Sequence, residues 1–334
     1  MKYLDVPILV NDFLEFMSAV KNRSPNTIKE YHYDLRNTFR YLKQNISNQQ
    51  TDDLENIKQY ADKIKNINIT DLNLDFFKLI NKNNIYSYLN YLDLQYQLKT
   101  KHVLKPNSRA RKVASIRSFY NYLVNNVNLK ENPVIGLETP QLDRRIPKYL
   151  TLEESTSLLH SVKFNEQKFG ERDYCILTLF LNCGLRLSEL ININFKDMKD
   201  DKLSIIGKGN KERIVHLNKA CLSSIDIYVA VRKKDNIKDR EALFLSERGE
   251  RIGRRMVECI VKKYIELAGL DSRKYSPHKL RHTAATLMHK YGNVDIRALQ
   301  QVLGHETIAT TQIYTHIDSD QVRDAIDSNP LNNI

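Results

Sequence analysis

The sequence predicts a mainly helical protein of two domains, with a small antiparallel sheet in the second. Its 334 residues provide enough length for about two domains of ordinary size. Glycine is scarce, and the first of the 10 glycines is Gly136, so the earlier part of the chain favours helices. The later part has glycines for turns and contains two short β-prone runs, which favour strands there.

Composition excludes several classes of protein and favours a polyanionic partner. The 52 Lys and Arg residues outnumber the 40 Asp and Glu residues, which gives a formal net charge of +12. An AT-rich genome also raises lysine content, so charge alone favours nucleic acid only modestly. A hydrophobic content of 41% excludes general disorder. The longest nearly apolar run, 174–183, is shorter than the ~20 residues that span a membrane.

The N-terminal segment and the cysteines predict a cytoplasmic protein without a zinc site. No secretory signal is visible in the first ten residues, where only Val6 to Val10 is apolar. The four cysteines form no CxxC pair, so we expect reduced thiols and no zinc centre.

The first domain, residues 1–139, is predicted to be helical. Ser24-Pro25 is typical of a helix start, because a hydroxyl caps the helix and proline suits its first turn. An apolar stripe follows at spacings of three and four: Ile28, Tyr31, Leu35, Phe39 and Leu42. Residues 44–80 are rich in Asn, Asp and Lys, and we expect a long surface connection with some helix.

A second helix in this domain is predicted from about Ser108 to Leu123. Its apolar face consists of Val113, Ile116, Phe119, Tyr120 and Leu123. Its opposite face carries arginines and small residues, namely Arg111, Ala114, Ser115, Ser118 and Asn121, with Arg117 at the flank. Because small residues let a helix approach a phosphate backbone closely, Arg111 and Arg117 are candidate DNA contacts. An ordinary solvated helix face fits the same pattern, and this window does not decide between them.

The boundary between the domains is predicted at residues 140–147. Two prolines and a charged middle favour an extended linker there. The second domain, 148–334, then begins with Thr151 and Glu154, which form a capping-box pattern at the start of a helix.

The second domain is predicted to combine helices with a hairpin. The almost continuously apolar segment 173–182 indicates a buried helix that ends near Gly184. The runs 203–206 and 213–217 flank a turn with two glycines, which predicts a β-hairpin. Ser276-Pro277 marks the start of another helix.

Three familiar kinds of site fit this sequence poorly. His278 and His282 have the spacing of a zinc-binding helix, but Lys279 occupies the position that needs a glutamate and would repel a cation. Gly207-Lys208-Gly209 lacks the spacing of a phosphate-binding loop and leads into a strand. A serine hydrolase has no GxSxG elbow to support it.

A different set of side chains fits chemistry on a phosphodiester without a metal: Arg186, Lys208, His278, Arg281, His305 and Tyr314. Arginine forks pair with phosphate oxygens and stabilise a pentacoordinate transition state. Lysine can protonate a leaving alkoxide, and histidine can hold or transfer a proton. Tyrosine can act as the nucleophile. Each residue alone has an ordinary structural explanation, so the argument depends on the whole set.

The order and spacing of these residues resemble the tyrosine recombinases of the phage integrase family, and within it the Xer type. The matching segments are 184–190, 207–213, 276–282, 303–305 and 310–316, with nine positions from His305 to Tyr314. Segments 24–42 and 107–123 resemble the helical, SAM-like core-binding domain of that family. The resemblance implies an α+β catalytic domain after the linker. Residues 44–80 depart from the expected Xer pattern by their length.

The resemblance implies that Tyr314 attacks the scissile phosphate and forms a 3′-phosphotyrosyl bond. Arg186 and Arg281 would clamp the phosphate, and His305 would hydrogen-bond to it.

Two further residues receive proton-transfer roles from the same resemblance. Lys208 would be the general acid for the leaving 5′-oxygen, and His278 would accept the proton of Tyr314. Glu189 matches the acidic position that supports the family's site. No cofactor and no metal are implied.

The resemblance also implies a partner and an assembly. The partner would be double-stranded DNA with inverted half-sites, bound by a homo- or hetero-tetramer, in the manner of chromosome dimer resolution. The tail, 318–334, would form a helix that packs on a neighbouring subunit, although it could also fold back on its own domain. Whether an FtsK-type translocase takes part is not decided by the sequence. The alternatives are an integrase of a phage or mobile element, a type IB topoisomerase, and a DNA-binding protein with a degenerate site.

Overall fold

The structure is a computed structural model that describes residues 2–48, 57–139, 148–164, 168–207, 212–292 and 295–304. The chain divides into two compact units, Met1–Arg144 and Arg145–Ile334. The predicted linker, 140–147, and the predicted C-terminal helix after residue 318 lie outside the described residues.

The described part of the first unit is built from helices. They are α1 (Ile8–Ala19), α2 (Pro25–Asn48), α3 (Ile57–Lys65), α4 (Leu74–Leu79), α5 (Lys82–Thr100) and α6 (Pro106–Val127). The two predicted helices are α2 and α6. At the start of α2 the Ser24 hydroxyl accepts the backbone N–H of Thr27 at 3.3 Å, which confirms the predicted cap. The rings of Phe39, Phe77 and Phe119 meet in the core, with centroids no more than 5.3 Å apart.

Residues 44–80 were expected to form a surface connection with some helix; the helix is confirmed in the described residues, but the surface position was wrong. Helix α3 buries Ile57, Ala61 and Ile64, and α4 buries Phe77. Ile57, Ile64 and Phe77 belong to the core shared with α2 and α6. The spacing of four and three in α3 places its apolar residues on one face. Only two turns carry this pattern, and the surrounding Lys, Asp and Asn residues hid it.

The described part of the second unit combines helices with one small sheet. The helices are α7 (Leu152–His160), α8 (Gly170–Cys183), α9 (Leu187–Ile191), α10 (Lys219–Val231), α11 (Arg254–Leu267), α12 (Pro277–Gly292) and α13 (Ile296–Leu303). The strands are β1 (Met198–Lys199), β2 (Lys202–Ile206) and β3 (Glu212–His216), which pair antiparallel in that order. The predicted hairpin is β2–β3, with Ile205 opposite Arg213. Strand β1 was not predicted, since two residues are too few to show alternation.

Local signals set the positions of the elements that carry the candidate site. Thr151 and Glu154 form the predicted capping box, with reciprocal hydrogen bonds of 3.1 and 2.9 Å, so α7 begins where expected. Helix α8 is buried against α10 and α12. It ends at Gly184, whose φ of +58° is the left-handed conformation that favours glycine. The chain therefore turns directly into the segment that contains Arg186.

The predicted fold class is confirmed. The described elements are mostly helical, and the second unit adds the small antiparallel sheet. Among the described residues, no helix combines the length and the apolar character needed to cross a bilayer.

Candidate active site of the second unit

Arg186 lies at the start of α9, two residues after the Gly184 turn. Its backbone N–H donates to the Glu189 Oε2 atom at 2.7 Å, and its Nη1 atom donates to Oε1 at 2.7 Å. One carboxylate therefore fixes both the main chain and the side chain of this arginine. The Arg186 side chain remains 30% exposed, so it is held in place and still accessible.

Glu189 is surrounded by three guanidinium groups. Its side chain is 2% exposed, and Arg213 donates to Oε1 from Nη1 at 2.7 Å and to Oε2 from Nη2 at 2.9 Å. Arg281 Nη1 lies 3.7 Å from Oε2. Burial opposes ionisation of Glu189, but hydrogen bonds from Arg213 and Arg186 outweigh it and lower its pKa to about 2. The carboxylate is thus charged at neutral pH and leaves a net excess of positive charge around it.

Arg281 is held by backbone oxygens from two directions. Its Nη1 atom donates to the carbonyl oxygen of Gly184 at 2.7 Å, and its Nη2 atom donates to that of Leu303 at 2.5 Å. The residue lies on α12 and is buried. The left-handed turn at Gly184 thus serves two purposes, because it ends α8 and aims a carbonyl oxygen at Arg281.

The C-terminus of α13 rests on the same three arginines. The carbonyl oxygens of Val302, Leu303 and Gly304 accept hydrogen bonds from Arg213 Nε at 3.3 Å, Arg281 Nη2 at 2.5 Å and Arg186 Nη2 at 2.9 Å, respectively. The last carbonyls of a helix lack intrahelical partners and carry partial negative charge, so cations satisfy them favourably. These contacts fix the position of the chain immediately before His305.

His278 is the second residue of α12. Partial desolvation lowers its pKa, and the positive charges of Arg281, Lys279 and Arg186 lower it further. The imidazole is therefore neutral at pH 7 and able to accept a proton. Its Nε2 atom lies 3.1 Å from Nε2 of His282, so one of the two nitrogens donates to the other.

Arg186, His278 and Arg281 line one cavity of 580 Å³ between α9, α11 and α12. The cavity is also lined by Arg254, Glu258 and Lys262 of α11. The predicted set thus meets at one place in its described part, in a setting of predominantly positive charge that suits a phosphate group.

Sequence reasoning missed Arg213, Arg254 and Lys262 as residues of this site. The spacing of four along α11, from Arg254 through Glu258 to Lys262, was a signal that could have identified one polar face opposite the apolar one. For Arg213 the sequence offered only its place in the matching segment 207–213.

Three of the predicted catalytic residues fall outside the described residues. Lys208 lies in 208–211, between β2 and β3, and His305 and Tyr314 follow α13. Their assignments stay predictions.

The two predicted DNA contacts of the first unit differ in their surroundings. Arg111 Nη1 lies 2.6 Å from Glu30 Oε2 and 2.7 Å from Asp34 Oδ2, so it also joins α6 to α2. Arg117 is exposed, and its Nη1 atom donates to the Thr139 hydroxyl at 3.3 Å. The placement of Ser115 on the exposed face was wrong, because it is buried and its hydroxyl donates to the Lys112 carbonyl. The assignment of both arginines as phosphate contacts stays a prediction.

Comparison with known proteins supplies the class. The family described as "Phage integrase family" matches residues 148–321, and the domain described as "Phage integrase, N-terminal SAM-like domain" matches residues 10–70. A "Tyrosine recombinase XerC" of Caldanaerobacter subterraneus subsp. tengcongensis is 49% identical over 332 residues, which cover 99% of this chain and 89% of the relative. A "Tyrosine recombinase XerC" of Natranaerobius thermophilus is 32% identical, covering 92% of this chain and 93% of the relative.

Solved structures share the fold. A XerH site-specific recombinase bound to a palindromic difH substrate superposes with a TM-score of 0.65 at 19% identity, over 98% of each chain. A lambda integrase dimer bound to a core site gives a TM-score of 0.62 at 14% identity, over 90% of this chain and 95% of the other.

The chain belongs to the phage integrase family, since that family's description covers more than half of its residues and near-full-length relatives share it. Within the family it is a tyrosine-type site-specific recombinase of the Xer type. The alignment with the Caldanaerobacter relative spans nearly the whole chain, so residues 44–80 lie within the match and do not set this chain apart from the Xer type.

Proposed function

We propose that this recombinase cuts and rejoins double-stranded DNA through a covalent bond to Tyr314. The observation that carries the proposal is the meeting of Arg186, Arg281 and His278 on one cationic cavity, with the chain before His305 anchored to its arginines. Two fixed guanidinium groups suit the non-bridging oxygens of a phosphodiester. A neutral histidine beside them suits acceptance of a proton.

In the cleavage step we propose, the nucleophile, the proton acceptor and the proton donor are all residues of this chain. The Tyr314 hydroxyl oxygen attacks the scissile phosphorus, and His278 accepts the phenolic proton. The bond from phosphorus to the 5′-oxygen breaks, and Lys208 protonates that oxygen, so a 5′-hydroxyl leaves. The product is a 3′-phosphotyrosyl link, with Arg186 and Arg281 stabilising the extra charge on the pentacoordinate transition state.

Rejoining reverses the same step with a different strand. A 5′-hydroxyl of the second duplex attacks the phosphotyrosyl phosphorus and releases Tyr314. The covalent link retains the energy of the original diester, so the exchange needs neither ATP nor another energy source. Paired exchanges between two duplexes pass through a four-way junction.

The biological role we propose is resolution of chromosome dimers by a homo- or hetero-tetramer on inverted half-sites, in the cytoplasm. Near-full-length relatives named "Tyrosine recombinase XerC" support this role over integration of a mobile element. In this role an FtsK-type translocase would be the activating partner.

A nicked suicide duplex that carries the binding site tests the chemistry. The site is first recovered by selecting genomic fragments that the purified protein retains. The wild-type protein should then form an adduct with this duplex that survives denaturant, whereas Tyr314→Phe should not. Tyr291→Phe is the matched control, because Tyr291 is exposed in the same unit, and it should react as the wild type does. An equal adduct yield from Tyr314→Phe would refute the nucleophile assignment.

Genome-wide mapping of bound protein tests the role. One strong site near the replication terminus, with recombination there that depends on the translocase, supports dimer resolution. A site at the end of a mobile element would instead support the integrase alternative, and relaxation of plasmid that lacks any site would support a topoisomerase.

A further inference from the structure

Arg213 makes contacts with three separate parts of the second unit. It belongs to β3, where it pairs with Ile205 of β2, and its side chain is 14% exposed. Its guanidinium group donates to both oxygens of Glu189 and, through Nε, to the Val302 carbonyl oxygen at the end of α13. The side chain therefore links the strand after the hairpin turn, α9 and α13.

We propose that Arg213 is a positioning residue for recombination, which acts through Glu189 to orient Arg186 toward the scissile phosphate. The proposal rests on the phosphate-clamp role proposed above for Arg186. Arg213 itself does not line the described cavity, so its effect is indirect.

The hydrogen bonds on Glu189 explain how Arg213 would act. Each carboxylate oxygen is shared, because Oε1 accepts from Nη1 of Arg186 and of Arg213, and Oε2 accepts from the Arg186 backbone and from Nη2 of Arg213. The fork of Arg213 fixes the plane of the carboxylate. Without that fork, Glu189 could rotate to pair with both terminal nitrogens of Arg186. Such a pair would occupy the N–H donors with which Arg186 would otherwise bind the phosphate.

Geometry, rather than charge alone, is the contribution of Arg213. The single negative charge of Glu189 already faces Arg186 at 2.7 Å and Arg281 at 3.7 Å, so a third cation is not needed for neutrality. A lysine at this position would keep the charge but would lose the planar fork and the Nε–H contact with α13. Arg213→Lys therefore separates the two explanations.

The anchor on α13 gives Arg213 a second effect on the same clamp. An added Cβ at Gly304 would lie 3.0 Å from the Arg213 Cδ and Nη1 atoms, so the end of α13 packs directly on this side chain. The carbonyl oxygen of Gly304 in turn accepts from Arg186 Nη2. A shift of Arg213 thus moves both groups that hold Arg186.

Two suicide duplexes with different scissile linkages test the proposal in the full chain. One carries the natural phosphate, and the other carries a methylphosphonate, in which a neutral methyl group replaces one charged oxygen. Arg213→Lys is compared with wild type in single-turnover adduct formation, in DNA affinity and in Tm. Arg232→Lys is the matched control, because Arg232 is a partly buried arginine of the same unit that donates to the carbonyl oxygens of Ala242 and Leu243 and does not line the cavity.

We expect Arg213→Lys to slow adduct formation on the phosphate by about tenfold or more with little change in DNA affinity. On the methylphosphonate this deficit should shrink, because a neutral linkage demands less of Arg186. Arg232→Lys should react as the wild type does on both linkages. A double variant with Glu189→Gln should be no slower than the slower single variant, since both changes act through one contact.

The possible failures are distinguishable. An equal deficit on both linkages, a wild-type rate for Arg213→Lys, or additive effects in the double variant would overturn the role of Arg213 and leave the proposed function standing. If the wild type forms no adduct on the phosphate, the proposed function fails and the Arg213 proposal fails with it.

Discussion

Arg186 and Glu189 are joined at two points, because the carboxylate accepts both the backbone N–H of Arg186 and its Nη1, each at 2.7 Å. The Glu189 side chain therefore caps the start of its own helix and also supports the Arg186 guanidinium group. The contact depends on the spacing of three, which is that of a capping box. The start of α9 and the placement of the Arg186 side chain consequently depend on the same carboxylate.

Glu189→Gln should slow recombination. The amide keeps the shape but cannot accept at both positions, so we expect adduct formation to slow by about 10- to 100-fold in single-turnover assays. The control is Glu154→Gln, which removes the equivalent carboxylate from the capping box of α7 and should leave the rate unchanged. Comparable losses in the two variants would mean that the capping contact alone explains the effect.

The same residue should make stability depend on pH. The pKa of Glu189 is lowered from an ordinary 4.5 to about 2 in the folded chain, so its stabilisation is present above pH 4.5 and is lost as the pH falls toward 2. That difference corresponds to about 3 kcal/mol at most. Denaturant unfolding between pH 7 and pH 3 should show a shallower decline for Glu189→Gln than for wild type. Parallel curves for the two proteins would contradict this.

Cleavage should fall at acidic pH because of His278. Desolvation and the charges of Arg281, Lys279 and Arg186 lower its pKa below 6.5, and His282 lies against its ring. The adduct rate should be flat at neutral pH and decline below that lowered pKa, since the protonated imidazole cannot accept the phenolic proton. His278→Gln should react slowly and lose this step in the pH–rate profile. His160→Gln, at the end of α7, serves as control, and persistence of the step in His278→Gln would assign it to another group.

The elements that the sequence predicted correctly are those with strong local signals. The cap at Ser24, the capping box at Thr151 and the apolar run of α8 each identify a helix within a few residues. The burial of the segment 57–79 was missed because the apolar spacing of α3 extends over only two turns among Lys, Asp and Asn residues. The core residues that it packs with are also distant in the chain.

The candidate site shows the same division. The sequence assigned Arg186, Glu189, His278 and Arg281 to the candidate site because they lie in the matching segments 184–190 and 276–282. The contact of Arg213 with Glu189 could not be predicted, because the two residues are 24 positions apart and an arginine in a strand is ordinarily a surface residue. The three carbonyl contacts at the end of α13 were likewise unpredictable, since backbone oxygens have no sequence signature.

Removal of Arg117 and of Arg111 should have separable effects in the first unit. Arg117→Ala should reduce DNA affinity and lower the salt slope by about one, with Tm unchanged, because its side chain is exposed. Arg111→Ala should also lower Tm, because it leaves the buried Asp34 with Lys112 as its remaining partner among the described residues. Fluorescence anisotropy over a salt series and thermal unfolding give both readouts. Lys65→Ala is the control, because Lys65 is an exposed cation on α3. An equal salt slope for Arg117→Ala and for this control would show that Arg117 makes no phosphate contact.

Alanine at Gly304 should damage the site more than it damages the fold. Gly304 has a φ of +62°, so alanine there costs about 1–2 kcal/mol in backbone strain. Gly269 has a φ of +75° with no atom within 4 Å of an added Cβ, so Gly269→Ala carries the strain without the clash. Both variants should therefore lose stability through backbone strain in denaturant unfolding, and Gly304→Ala should lose more because its methyl group displaces Arg213 from Glu189. Only Gly304→Ala should slow adduct formation, because its methyl group displaces Arg213 and disturbs the contact of the Gly304 carbonyl oxygen with Arg186. Equal rates for the two variants would show that the end of α13 tolerates that displacement.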